Sequence, residues 1–123
     1  GKIVIGTVEG DMHDIGKTIV VSLLRANGFE VLDLGRDVAP QRFIEEAEKF
    51  KADIIGSSTL LTTTMVVQKE LEEELQKAGL KEKYKTIVGG APVTQRWANR
   101  IGADAFAQDA GDGVKKVRQL LAK

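Results

Sequence analysis

The sequence predicts an α/β fold, a five-stranded parallel sheet with helices on both faces. Two observations carry this prediction. Short β-branched runs alternate five times with segments whose apolar residues recur at helical spacing. Most of the runs pass directly into glycine or small polar residues, as strands entering turns do. At 123 residues the chain also has the size of one domain. The implied arrangement is Rossmann-like (flavodoxin-like).

The elements follow in order. Lys2–Val8 reads as the first strand. Ile15, Ile19, Val20, Leu23 and Leu24 recur at helical spacing, and Asn27-Gly28 supplies the stop. Glu30–Leu34 is a second strand, closed by Gly35. Pro40 opens a helix whose stripe is Phe43, Ile44, Ala47 and Phe50. Asp53–Ser58 is a third strand, followed by a hydroxyl-rich loop, Ser57 to Thr64. Val67, Leu71 and Leu75 line the third helix, which ends at Ala78-Gly79. Glu72, Glu73 and Glu74, with nearby lysines, read as its solvated face. Lys81–Lys85 is a charged connector. Thr86–Val88 is a fourth strand running into Gly89-Gly90. Val93, Trp97 and Ile101 mark a short fourth helix, with Trp97 read as core or interface. Ala103–Ala107 is a weak fifth strand, and Val114, Val117 and Leu121 line the last helix. No internal repeat is visible.

Composition excludes several classes. Eighteen basic residues balance eighteen acidic ones, so the overall charge offers no electrostatic case for nucleic acid or an anionic membrane. The absence of cysteine excludes disulfides, thiolate metal sites and cysteine nucleophiles. A single histidine, His13, excludes any site built on two from one chain. No apolar run approaches the ~20 residues of a membrane span, and no signal peptide is visible. The expectation is a cytoplasmic protein. A strand beginning at residue 2 is also what a piece trimmed from a longer chain would show.

In open parallel sheets, ligands bind beyond the carboxyl ends of the strands. Three of the five loops there carry chemistry. The first, Glu9 to Lys17, holds His13 with Asp11 two residues earlier. A carboxylate at that distance can reach a ring nitrogen and fix the tautomer, leaving the other nitrogen for a metal. Gly10 and Gly16 bracket this loop. A lone imidazole is a poor anchor for zinc, but it suffices as axial ligand to a metal held by a macrocycle. The alternative is a histidine that caps a helix or faces solvent. The third loop, Gly56 to Thr64, is small and rich in hydroxyls, which either bind a ligand or cap the helix that follows. The fourth, Val88-Gly89-Gly90-Ala91-Pro92, either lets a ligand lie against the backbone or is an ordinary turn. No phosphate-binding glycine motif occurs.

Asp11-Met12-His13-Asp14-Ile15-Gly16 resembles the D-x-H-x-x-G signature of cobalamin-binding domains. Ser58-Thr59-Leu60 resembles their S-x-L element, and Gly89-Gly90 their G-G element. All three stand in the family's order, each after an expected strand, and the similarity covers residues 1–123. The run His13-Asp14-Ile15-Gly16-Lys17 is similar to the methyl-transfer branch, which includes methionine synthase and the corrinoid proteins of methanogens and acetogens.

The resemblance implies cobalamin or a related corrinoid bound base-off and histidine-on, with a methylcobamide in the loaded state. It makes His13 the lower axial cobalt ligand, Asp11 the acceptor of its other ring proton, and Ser58 the partner of Asp11. It places Met12, Asp14, Ile15, Gly16, Leu60, Thr62, Gly89, Gly90, Ala91, Ala107 and Asp109 at the cofactor, several of them along a slot for its nucleotide tail. The implied function is a carrier shuttling a methyl group between a donor-specific methyltransferase and a methyl-acceptor methyltransferase, rather than a catalyst alone. Family members of this type carry a helical bundle before the domain, and residues 1–123 contain no segment for it. Two alternatives remain, the cobalamin domain of an adenosylcobalamin mutase and a B12-sensing regulatory module. A phosphate receiver is disfavoured because Ser57-Ser58 stands where an acceptor aspartate is needed. Arg36 and Asp37 read as loop residues within reach of a corrin amide.

Overall fold

The computed structural model describes residues 1–122 and contains five β-α units in succession. They are β1 (Lys2–Thr7), α1 (Ile15–Ala26), β2 (Glu30–Asp33), α2 (Pro40–Phe50), β3 (Ile54–Ser58), α3 (Met65–Lys77), β4 (Lys85–Gly89), α4 (Gln95–Ile101), β5 (Ala105–Phe106) and α5 (Ala110–Leu121). A 3-10 turn, Thr62–Thr64, leads into α3. The sheet is wholly parallel, in the order β2-β1-β3-β4-β5. The chain steps outward from β1 to β2, then crosses back to β3 on the other side. Strand order therefore reverses between β1 and β3, and the loops leaving them diverge to open a crevice. Register aligns Thr7 with Ser58 and Ser58 with Gly89, so three strand ends finish in one row.

The strands are apolar on both faces because helices cover both. Alternation sends Ile3 and Ile5 to a core with Val21, Leu24, Val114 and Val117 of α1 and α5. Val4 and Ile55 go to the other side, against Phe43, Ala47, Leu71 and Leu75 of α2 and α3. A third cluster, Val88, Val93, Ala98 and Ile101, seats α4. Among the described residues no helix is long and apolar enough to cross a membrane.

The structure departs from the sequence reading at several elements. Ile15 and Ile19 of α1 are exposed, and beside the expected Leu24 the helix buries Lys17 and Val21. Ile15 and Ile19 border an open groove rather than the closed core. Glu72 is buried, not solvated, because Lys81 and Thr86 meet its carboxylate there. The connector Lys81–Lys85 contains a fully buried Tyr84, and Lys85 already belongs to β4, paired with Ile54 of β3. β1 stops at Thr7, and Val8 makes only an isolated bridge to Val38. β5 shrinks to two residues, since the Ala103 amide is still held by Ala98 at the end of α4.

Candidate functional site

The loop after β1 turns back at Gly10, whose φ of 88° suits glycine, and drops Asp11 into the crevice between β1 and β3. Asp11 is 0 % exposed. One carboxylate oxygen accepts from the His13 ring Nδ1 at 2.7 Å and from the His13 backbone N–H at 3.0 Å. The other accepts from the Leu60 amide at 2.6 Å and, more distantly, from the Thr59 hydroxyl at 3.4 Å. Burial alone pushes this carboxyl upward. The amide bonds from Leu60 and His13, with the imidazole, outweigh burial and hold it below the ordinary carboxylate range.

An ionised Asp11 fixes the proton on Nδ1 and leaves the Nε2 lone pair outward. The His13 side chain is 55 % exposed, and no described residue hydrogen-bonds Nε2. Met12, Ile15 and Leu60 stand exposed around it. Below His13 runs a groove of about 870 Å³ between α1 and α5 on one side and the sheet on the other. Ile5, Gly56, Ile87 and Gly90 contribute to its floor and Ile19 and Val20 to its wall.

Two glycines explain how the crevice is shaped. A Cβ on Gly90, at φ 126°, would lie 1.7 Å from the Thr59 carbonyl oxygen. Only glycine lets the loop after β4 press on the peptide that presents the Leu60 amide to Asp11. Gly16 is the opposite case, because a Cβ there meets no heavy atom within 4 Å and projects into open space.

Of the residues named from the sequence, Met12, His13, Asp14, Ile15, Gly16, Ser58, Leu60, Gly89, Gly90, Ala91, Ala107 and Asp109 all line this one groove. Asp11 lies beneath its rim. Asp109 also caps α5, its carboxylate accepting from the Asp112 amide at 2.8 Å. Thr62 lies in the 3-10 turn and does not line the groove. Ser58 does not take the place expected beside Asp11, because the register turns Thr59 toward it instead. Thr59 is fully buried and also shares a hydrogen bond with Thr64. The reading missed Ile5, Ile87 and Val20 as groove residues. Their only sequence mark was membership of the core pattern, which does not tell a groove floor from a packed interior.

The residues fit a macrocycle-held metal. The site offers one oriented imidazole nitrogen, an apolar rim and a groove. Among the described residues no three histidine or carboxylate side chains converge as an independent ion site. A wound parallel sheet with its ligand groove at the strand-order switch and a tautomer-fixed histidine at the rim defines a cofactor-binding domain.

Residues 1–118 match the B12 binding domain family, and the chain belongs to it. Its cofactor is a cobalamin or related corrinoid. The chain is 56% identical over 121 residues to trimethylamine corrinoid protein 2 of Methanosarcina acetivorans, covering 98% of this chain and 56% of that protein. It is 55% identical over 122 residues to the dimethylamine corrinoid protein of Methanosarcina barkeri, covering 99% of this chain and 57% of that one. The methanol:cobalamin methyltransferase complex MtaBC from Methanosarcina barkeri contains a chain that superposes with a TM-score of 0.93 at 37% identity. That match covers 99% of this chain and 46% of the other. The chain thus spans little more than half the length of these two curated relatives.

Proposed function

We propose that this chain is the corrinoid-carrying domain of a cytoplasmic methyltransferase system, with His13 as lower axial ligand. In this reading a donor-specific methyltransferase delivers a methyl group to it and a methyl-acceptor methyltransferase removes it. The relatives named for trimethylamine and dimethylamine support a methylamine as donor, and the likeness to a chain of the methanol:cobalamin methyltransferase complex supports methyltransferase partners. The observation that carries the proposal is the His13–Asp11 pair, its outward Nε2 set over a groove of tail-accepting size.

A bound corrinoid supplies a cobalt centre able to accept and release a methyl group. The chain does the rest. Asp11 keeps the proton at His13 Nδ1, and the Leu60 amide and Thr59 hydroxyl keep Asp11 in place. Met12, Ile15 and Leu60 offer apolar surface to a flat ligand, and the groove receives an extended tail away from water.

The test is His13→Ala, with hydroxocobalamin added to both proteins. The wild type gives an imidazole-bound visible spectrum. The variant retains the corrinoid through the groove and gives a base-off spectrum. Identical spectra for the two would reject axial ligation by His13.

A further inference from the structure

The loop after β2 holds one non-glycine residue in an unfavourable backbone conformation. Asp37 sits at φ 56°, in the left-handed region an L-residue enters reluctantly. Persisting outliers of this kind are held by their surroundings and cluster near functional sites.

The contacts around Asp37 all lead to one place. Its carboxylate accepts from the Gly10 amide at 2.8 Å, and its own amide donates to the Asp11 carbonyl at 3.1 Å. The neighbouring Val38 carbonyl accepts from the Glu9 amide at 2.9 Å. Arg36 donates to the Met12 carbonyl at 3.3 Å. On its opposite side Gly10 is closed in by Thr64, whose methyl lies 3.2 Å from where a Cβ would stand. The backbone from Glu9 to Met12 is therefore tied at successive residues to the segment Arg36–Val38. The left-handed turn at Asp37 lets one residue bond the loop with both its side chain and its backbone amide.

We infer that Asp37 is a positioning residue for the axial ligand. It fixes the peptide that carries Asp11 and so sets how readily the His13 ring reaches a cobalt centre. The inference rests on His13 ligation as proposed above. Asp37 makes no hydrogen bond to His13 and does not itself line the groove, so it acts through the loop.

Two substitutions separate positioning from folding. Asp37→Gly removes the acceptor for Gly10 but accepts the left-handed conformation freely. Asp37→Asn keeps a carbonyl acceptor and tolerates the same conformation. Each is compared with the wild type for thermal melting of the unliganded chain and for the visible spectrum with hydroxocobalamin. The Gly variant should melt within a few degrees of wild type, yet its ratio of imidazole-bound to base-off corrinoid should fall about three- to tenfold, the scale of one lost hydrogen bond. The Asn variant should return the ratio to within about twofold of wild type. A Gly variant with the wild-type ratio, or one whose ratio falls only in step with its melting temperature, overturns the inference while leaving His13 ligation intact. A wild type with no imidazole-bound band overturns the ligation reading and this inference with it.

Discussion

Among the described residues two side-chain carboxylates are buried, and they are handled in opposite ways. Asp11 lies at the carboxyl end of the sheet, 0 % exposed, and takes its hydrogen bonds from amides and from a ring that faces outward. Glu72 lies near the start of β4, 4 % exposed, where Lys81 meets it at 2.8 Å and the Thr86 hydroxyl at 2.8 Å. Burial dominates at Glu72 and raises its pKa despite the lysine. At Asp11 oriented amide dipoles more than offset burial and lower it. The lesson is that burial alone does not mark a functional carboxylate. What distinguishes Asp11 is that its partner has a second ring nitrogen left unbonded over a groove. Glu72 instead belongs to a network with Lys81, Thr86 and Asp104 whose members bond one another away from the groove.

The largest test of this contrast goes through Gly90. Gly90→Ala drives a Cβ into the Thr59 carbonyl and demands a strained φ, so it should move the Leu60 amide off Asp11. We expect a loss of about 3 kcal/mol or more in urea unfolding, with corrinoid uptake lost as well. A variant of wild-type stability would show that the loop after β4 does not support the site.

Next come the carboxylates themselves. Asp11→Asn sets an amide NH2 against the donors that now face a carboxylate, costing about 1–3 kcal/mol. It should also reduce the imidazole-bound fraction in the visible spectrum. Glu72→Gln removes a charge that burial disfavours and keeps the Oε1 acceptor for Lys81 and Thr86, so it should not lower stability near neutral pH and should leave that spectrum unchanged. A spectral change in the Glu72 variant would erase the distinction drawn here.

The two groups also pull stability in opposite directions with pH. Because folding lowers the Asp11 pKa, its contribution is complete above the ordinary value of 3.8 and is lost as pH falls from there through the folded value. Folding raises the Glu72 pKa, so its ionisation costs stability as pH rises from the ordinary 4.5 through the raised value. Urea midpoints across acidic pH should therefore fall more gently for Asp11→Asn below pH 3.8 than for the wild type. Glu72→Gln should flatten the profile above pH 4.5. Parallel profiles for all three proteins would contradict these assignments.

The smallest effect separates two adjacent hydroxyls. Thr59→Val removes the hydroxyl shared by Asp11 and Thr64 and should cost about 1 kcal/mol. Ser58→Ala should change stability by less than about 0.5 kcal/mol, since Ser58 makes no side-chain hydrogen bond to a described residue. The reverse order in thermal melts would return Ser58 to the side of Asp11.

Much of this site was legible from residue type and spacing. His13 with Asp11 at two residues' distance, and Gly89-Gly90 after a strand, are patterns whose chemistry is local. Thr59 was not legible. Whether Ser58 or Thr59 faces Asp11 depends on the side to which a strand end turns, and one residue of register reverses it. Ile15 and Ile19 misled because an apolar stripe meets a core and a groove wall with the same spacing. Glu72 misled for the converse reason. Its partners Lys81 and Thr86 lie 9 and 14 residues downstream, beyond anything helical periodicity reports.

The sequence by itself determined the parallel α/β architecture, the imidazole at the rim and the carboxylate that orients it. These follow from periodicity and from contacts within a few residues. Tertiary structure decided which hydroxyl supports Asp11, that the first helix faces an open groove, and that a left-handed aspartate in the second loop ties down the first. Those outcomes depend on how strands register and loops meet across the switch in strand order, where residues far apart in the chain become neighbours.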